Sequence, residues 1–485
     1  MKKFLLVAFC AMFAIVSCEE TLPSVDDIDK GIVTPEDPSQ GGQASNALQP
    51  DEQKAKFSSV GEKFLEKCDP EDFSKFSDLA ESFEKNFVDV DYDWSALEDW
   101  AEKHVDGFTV TDNPGQKIDG KLVIENFEEF IFVLSNYKGL FTLGKDKLTV
   151  SDYDGVKIVF SMDGKNYEAT VEYNGKETTA LLVTSYIYED NYSETAEIHK
   201  STSTISITVP EETVVRVTEN GSDLMTITIK AAASLTQSGL VLTTDGLAIQ
   251  TTVSMNGYEY VIENMSYNGS TSKVGVNQKF TKDGETLISL QGAGDLTLDI
   301  EKQVYEDEYW RDEEDALVAK KANNFSASAD IMGEIQIFGT CSDAISASES
   351  LDAMWDALYD GSTPNLSTAE RHLNNFNAKF DFGVYYDKGN NKQAKVEFEL
   401  DKQTYDYGWD VNGDGIVNGN DVYTDYDLVP VIVFNDNSRY MVEEFFAGNA
   451  FNSLIEAFES YCEKLSEIFG YFVEDKELIE NVPMY

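Results

Sequence analysis

Residues 245–284 read DGLAIQTTVSMNGYEYVIENMSYNGSTSKVGVNQKFTKDG, a run punctuated by Asp245-Gly246, Asn256-Gly257, Asn268-Gly269 and Asp283-Gly284. Such dipeptides accept the positive φ that tight hairpins need. From Gly246 to Gly257 is 11 positions, and from Gly257 to Gly269 is 12. One strand and one turn, repeated, is the pattern of an antiparallel meander. The pattern extends outward through Asp163-Gly164, Asn174-Gly175 and Asn220-Gly221. Between the turns, Ile205-Ile207-Val209, Val215-Val217, Val274-Val276 and Leu296-Leu298-Ile300 alternate with polar residues, as half-buried strands do.

This β-rich stretch is expected over residues 106–335, flanked by helices. In residues 48–105, Pro50 stands at a first helical position with Asp51 and Glu52 in the first turn. Phe57, Val60, Phe64 and Leu65 follow on one face. Asp69-Pro70 restarts a helix with the stripe Phe73, Phe76, Leu79, Phe83 and Phe87, and Trp94, Leu97, Trp100 and Ala101 suggest a third. Residues 336–485 read as mixed. Ser367-Thr368-Ala369-Glu370 fits a capping box, strands are expected near 380–400 and 428–434, and a closing helix carries Phe451, Leu454, Ile455, Phe458, Cys462, Leu465 and Phe469. The expected class is α+β: a long antiparallel meander, as a curved sheet or half-barrel, with helical ends.

The first residues have the three parts of a secretory signal, expected over 1–17. Lys2 and Lys3 precede an apolar stretch, Phe4 to Val16, that is too short to span a bilayer core of about 30 Å, and Ser17 precedes Cys18. Ile15-Val16-Ser17-Cys18 resembles the lipobox of bacterial lipoproteins. That resemblance implies acylation of Cys18 and attachment to a membrane through it. Glu19 and Glu20 resemble the acidic export signal of Bacteroidetes-type lipoproteins, which implies the outer membrane, lipid-anchored, and even the cell surface. Residues 18–47, with Pro23, Pro35, Pro38, Gly41 and Gly42 and few aromatics, read as a flexible tether beyond the anchor.

The formal charge is −52. Such a surface repels phosphate backbones, so nucleic acid is not an expected partner. Beyond Cys10 and Cys18, the cysteines Cys68, Cys341 and Cys462 are far apart and suggest neither a zinc site nor a redox pair.

One motif carries chemistry. In Asp410-Val411-Asn412-Gly413-Asp414-Gly415-Ile416-Val417-Asn418-Gly419-Asn420-Asp421, oxygens from Asp410, Asn412 and Asp414 fall at positions 1, 3 and 5. The Ile416 carbonyl, Asn418 and Asp421 take positions 7, 9 and 12, and Gly415 allows the turn. Calcium is the cation this pattern suits; the alternative is a plain turn between strands. The loop resembles a dockerin repeat, but a single one leading into a strand, so cohesin docking is not implied. Around it, Tyr405, Tyr407, Trp409, Tyr423 and Tyr426 stand among Asp406, Asp425 and Asp427. Tyr407, Trp409, Tyr423 and Tyr426 are candidate sugar-stacking residues, or simply strand-forming aromatics.

Three histidines without ligand spacing, and no nucleophile elbow, P-loop or dinucleotide fingerprint, argue against catalysis. The chain also resembles uncharacterised Bacteroidales envelope lipoproteins. It does so at Pro50-Asp51-Glu52-Gln53-Lys54, at Asp69-Pro70-Glu71-Asp72-Phe73, and from Val431-Ile432-Val433-Phe434 to Tyr440 and Phe446. That resemblance implies compartment and architecture only. The expected function is a non-catalytic envelope or surface lipoprotein binding an unknown protein, lipid or glycan, with calcium stiffening one loop. A half-barrel lipid or lipoprotein carrier and a glycan-binding protein are the alternatives.

Overall fold

The structure, a computed structural model, describes residues 31–41, 47–88, 90–104, 109–118, 121–190, 197–238, 241–306, 310–359, 364–406 and 422–446, with scattered positions between 451 and 464. The class is α+β, mostly β, with a long antiparallel-dominated meander and several helices. The chain divides into two compact units. Residues 31–34 and Cys68–Lys321 form the first; Pro35–Lys67 and Ala322–Tyr461 form the second. The N-terminal helices are therefore shared out: α1 (Pro50–Lys67) belongs to the second unit, whereas α2 (Ser74–Phe83) and α3 (Ser95–His104) belong to the first.

In the first unit, β1 (Thr109–Ile118), β2 (Lys121–Val133), β3 (Gly139–Leu143), β4 (Leu148–Ser151) and β5 (Val156–Met162) precede the long β6 (Lys165–Asp190) and β7 (Glu197–Glu219). Next come β8 (Ser222–Ser238), β9 (Val241–Met255), β10 (Tyr258–Asn268), β11 (Lys273–Lys282) and β12 (Glu285–Glu306). From β5 to β12 each strand pairs antiparallel with the next. Two parallel pairs, β2 with β7 and β3 with β5, depart from the simple meander. They arise where long β7 extends beyond β8 and where β4 lets the chain cross back.

Asp163-Gly164, Asn220-Gly221, Asn256-Gly257 and Asp283-Gly284 form the expected two-residue turns, all with positive φ. After Asn268 the turn is wider, because its side chain accepts from the Ser270 and Thr271 amides at 3.0 and 3.2 Å. Asn174-Gly175 and Asp245-Gly246 are not hairpins. The first is a bulge within β6 and the second lies inside β9. Positive φ serves a bulge as well as a turn. A second bulge leaves Glu263 unpaired between Ile262 and Asn264 of β10.

The core of this unit lies between the helices and one sheet face. Leu79, Phe83, Phe87, Trp94 and Leu97 pack on Phe141, Phe160, Tyr167, Val171, Val215 and Ile227. Asp69 caps the chain's restart by accepting from the Glu71 amide at 3.0 Å, and Pro70–Phe73 form a 3-10 turn before α2.

In the second unit the end of β13 (Trp310–Ile331), then β14 (Ile335–Asp343), β15 (Phe380–Tyr386), β16 (Ala394–Asp406), β17 (Val422–Phe434) and β18 (Arg439–Met441) pair in chain order, all antiparallel. Two helices, α4 (Ala344–Tyr359) and α5 (Leu366–Asn377), join β14 to β15. The α5 cap is Asn365, accepting from the Thr368 amide at 3.2 Å, two positions before the expected Ser367. Register places both helical layers on one face. Helix α1 and α6 (Val442–Phe446) cover Ile335, Val384, Ala394 and Phe434, while α4 and α5 cover Phe380, Phe398, Leu400 and Leu428. The N- and C-terminal helical segments also meet: Phe57 stands edge-on to Phe445 and Phe446, and Leu454 fills the space over Gly61. Part of the expected tether is packed as well, with Pro35 and Pro38 buried.

Candidate ligand-binding face and calcium-type hairpin

Period-two alternation sends one set of side chains from each strand to each face, and register aligns these sets into rows across the sheet. One such row is Val156, Val171, Val215, Ile227, Val253, Tyr260, Phe280 and Ile288, from β5 to β12 without a polar residue. Beside it run Ile229, Thr251, Ile262, Gln278 and Leu290, then Ala231, Ile249, Met265, Val276 and Gly292. The β5–β8 end lies under α2 and α3, where Ile227 is 0% exposed. Towards β12 the same rows surface, with Tyr260 at 38%, Met265 at 43% and Leu290 at 38%. A single apolar face thus passes from core to surface.

The border between covered and open parts is fixed by a clamp. Tyr258 donates to Asp72 at 2.9 Å and accepts from the Asp69 amide at 3.1 Å. Lys282 donates to Asp72 at 2.9 Å and lies 3.8 Å from the centre of the Tyr258 ring. The Lys282 ammonium, helped by the Tyr258 hydroxyl and the Asn256 amide, holds the Asp72 carboxyl below the usual carboxylate range against the effect of burial. Burial, then the Asp72 carboxylate, raises the Tyr258 phenol. Cys68 is buried beside them, and burial pushes its thiol up to about 11. A protonated, inaccessible thiol is a packing residue.

Cys18, Tyr407, Trp409 and the loop Asp410, Asn412, Asp414, Ile416, Asn418, Asp421 lie outside the described residues. Its frame does not. Strands β16 and β17 pair continuously from Ala394↔Phe434 to Asp406↔Val422, so residues 407–421 close one long hairpin. Tyr423 is opposite Tyr405 in that ladder. Tyr405 is 42% exposed, whereas Tyr426 is 7% exposed and belongs to the core under α4 and α5. Tyr359, not singled out in the sequence, donates to Asp425, accepts from the Tyr426 amide at 3.2 Å and stacks on Trp355. Its signal was the i, i+4 spacing of Trp355 and Tyr359 at the end of α4. Among the described residues no group of three or more His, Cys, Asp or Glu could hold a metal ion, and no helix is long and apolar enough to cross a membrane.

Compared with known proteins, the chain matches no family model, no curated protein and no solved structure.

Proposed function

We propose that the protein is a non-catalytic envelope lipoprotein, anchored through Cys18 at the outer membrane, that binds an apolar ligand or partner on the open end of its first-unit sheet. The observation that carries this reading is the apolar face surfacing at Tyr260, Met265 and Leu290. Exposed aliphatic and aromatic side chains continuous with a core mark contact surfaces rather than chance exposure. Asp72 and Glu334, two described carboxylates with several partners each, join elements of the fold to one another. In the same reading the 410–421 loop holds one calcium ion and stiffens the end of the β16–β17 hairpin. The twelve-residue ligand spacing and the hairpin frame support it.

The test is native mass spectrometry of the chain purified from a bacterial envelope without detergent, alongside pull-down. A co-purifying lipid identifies a carrier, and a captured protein identifies a partner. Either should be lost in Met265→Glu with Leu290→Glu while the melting temperature is retained. Unchanged capture by that double variant would overturn the assignment of the face.

A specific feature favours glycan binding as a second reading. Tyr359 is 47% exposed, stacked on Trp355 and fixed by Asp425, an aromatic platform beside carboxylates. Retention on polysaccharide that survives Tyr359→Ala and Trp409→Ala would exclude it.

A further inference from the structure

The opposite face of the same sheet is built differently. Asn174, Glu212, Lys230 and Gln250 align from β6 to β9, and across the β10 bulge Asn264, Asn277 and Gln291 align from β10 to β12, so this edge is polar on seven strands. The next row reads Ala232, Ala248, Ser266, Gly275 and Ala293, with nothing larger than serine. Beyond it, Asn268, Lys273 and Asp295 align, Lys273 meeting Asp295 at 2.5 Å. Two polar walls thus flank a floor of small side chains, forming a trench that crosses the strands.

Part of the trench is filled by the chain itself. A Cβ placed on Gly275 would lie 2.8 Å from Ile32 Cγ2, and one placed on Gly31 would lie 2.9 Å from Asn264 Oδ1. Glycine stands on each side where the two segments come closest: Gly31 passes the wall at Asn264, and Ile32 drops onto the floor at Gly275. Asn264 is 4% exposed; its Nδ2 donates to Ser266 at 2.9 Å, and its Oδ1 has no hydrogen-bond partner among the described residues.

We infer that this trench is a docking socket whose occupant is segment 31–34 of the chain itself, seated through Gly31 and Ile32. The dock does not depend on acylation. Its consequence does, because it rests on reading Cys18 as the anchor. Docked at Gly31, the protein is joined to Cys18 through the dozen residues 19–30 instead of through the longer stretch up to 47. The trench face is then the face nearest the membrane.

Hydrogen exchange on the full chain tests this. Amides 32–34 should exchange at least tenfold slower than unstructured peptide. Ile32→Asp and Gly275→Val should each abolish that protection while leaving the β10–β11 amides unchanged. The pair Ile32→Cys with Gly275→Cys should form a disulfide under mild oxidation, since the built Cβ lies 3.2 Å from Ile32 Cβ and a small outward shift reaches the usual separation of about 3.5–4.5 Å. Unprotected exchange at 32–34 in the wild-type chain would overturn the proposal, and that measurement decides even if the Gly275 variants do not fold.

Discussion

The Tyr386 hydroxyl donates a 2.8 Å hydrogen bond to Gln53 Oε1, although the two residues are 333 positions apart. Gln53 completes its amide by donating to the carbonyls of Leu48 and Gln393, each at 3.1 Å, and Gln393 returns a contact to the Leu48 amide at 2.7 Å. A buried polar group with all its partners present is a strong positional constraint. Here it fixes the start of α1 on the edge where β15 and β16 meet.

Replacing Gln53 with Leu should therefore destabilise the second unit, because Tyr386 loses its acceptor in a buried site. The cost should be about 1–3 kcal/mol. Thermal unfolding followed by circular dichroism should show a fall of several degrees in Tm. An unchanged Tm would mean that the network contributes nothing.

Glu334 gives an acid-sensitive contact. Hydrogen bonds from Lys56, then Lys63, hold its carboxyl below the ordinary range. A depressed folded value stabilises above the unfolded pKa, and that contribution disappears as pH falls through the folded value. Glu334→Gln should thus lose roughly 1 kcal/mol or less near neutral pH and match the wild type in strong acid. Denaturant melts across pH 2–7 check the convergence, about which the sign is unambiguous.

Cys68 should resist alkylation. Burial raises its thiol to about 11, and the side chain is 1% exposed. Iodoacetamide at mildly alkaline pH, with peptide mapping, should label it only after denaturation. Rapid native labelling would show that the clamp around Tyr258 opens readily.

The hairpin loop should take up one calcium ion with a Kd on the order of 10⁻⁴–10⁻³ M, as extracellular sites of this kind do. Native mass spectrometry should show a single calcium step, lost with chelator and absent in Asp410→Ala. A bare mass in saturating calcium would leave residues 410–421 as a turn.

Alternation and Asn-Gly spacing made the meander legible, because turn chemistry and period two are local properties. The rows were not, since they depend on register between strands, and register is set by pairs such as Ser266↔Gly275 that no short window contains. The parallel pairing of β2 with β7 is equally non-local. Helix α4 has a local trace in Ala347, Leu351, Met354 and Leu358, but the small polar residues around them blur its period. The cap of α5 was misplaced because Ser367 and Glu370 satisfy a box in sequence while Asn365 makes the bond. The candidate calcium ligands Asp410, Asn412, Asp414, Ile416, Asn418 and Asp421 stand on their spacing alone, since they lie outside the described residues. Tyr426 could not be sorted into core or surface until α4 and α5 were seen above it.

The bulge in β10 bears on how this sheet can change over generations. Pairing runs Ile262↔Gln278 and then Asn264↔Asn277, so Glu263 is the surplus residue of the ladder. Most single deletions within a regular strand exchange the two surfaces for everything downstream. Losing Glu263 would instead heal the ladder and leave Met265 and Asn264 on the sides they already occupy, at the expense of the contacts Glu263 makes with Asn277 and Lys279. β10 thus has a position where length itself is negotiable, whereas the regular stretches of the ladder tolerate new letters far better than missing ones.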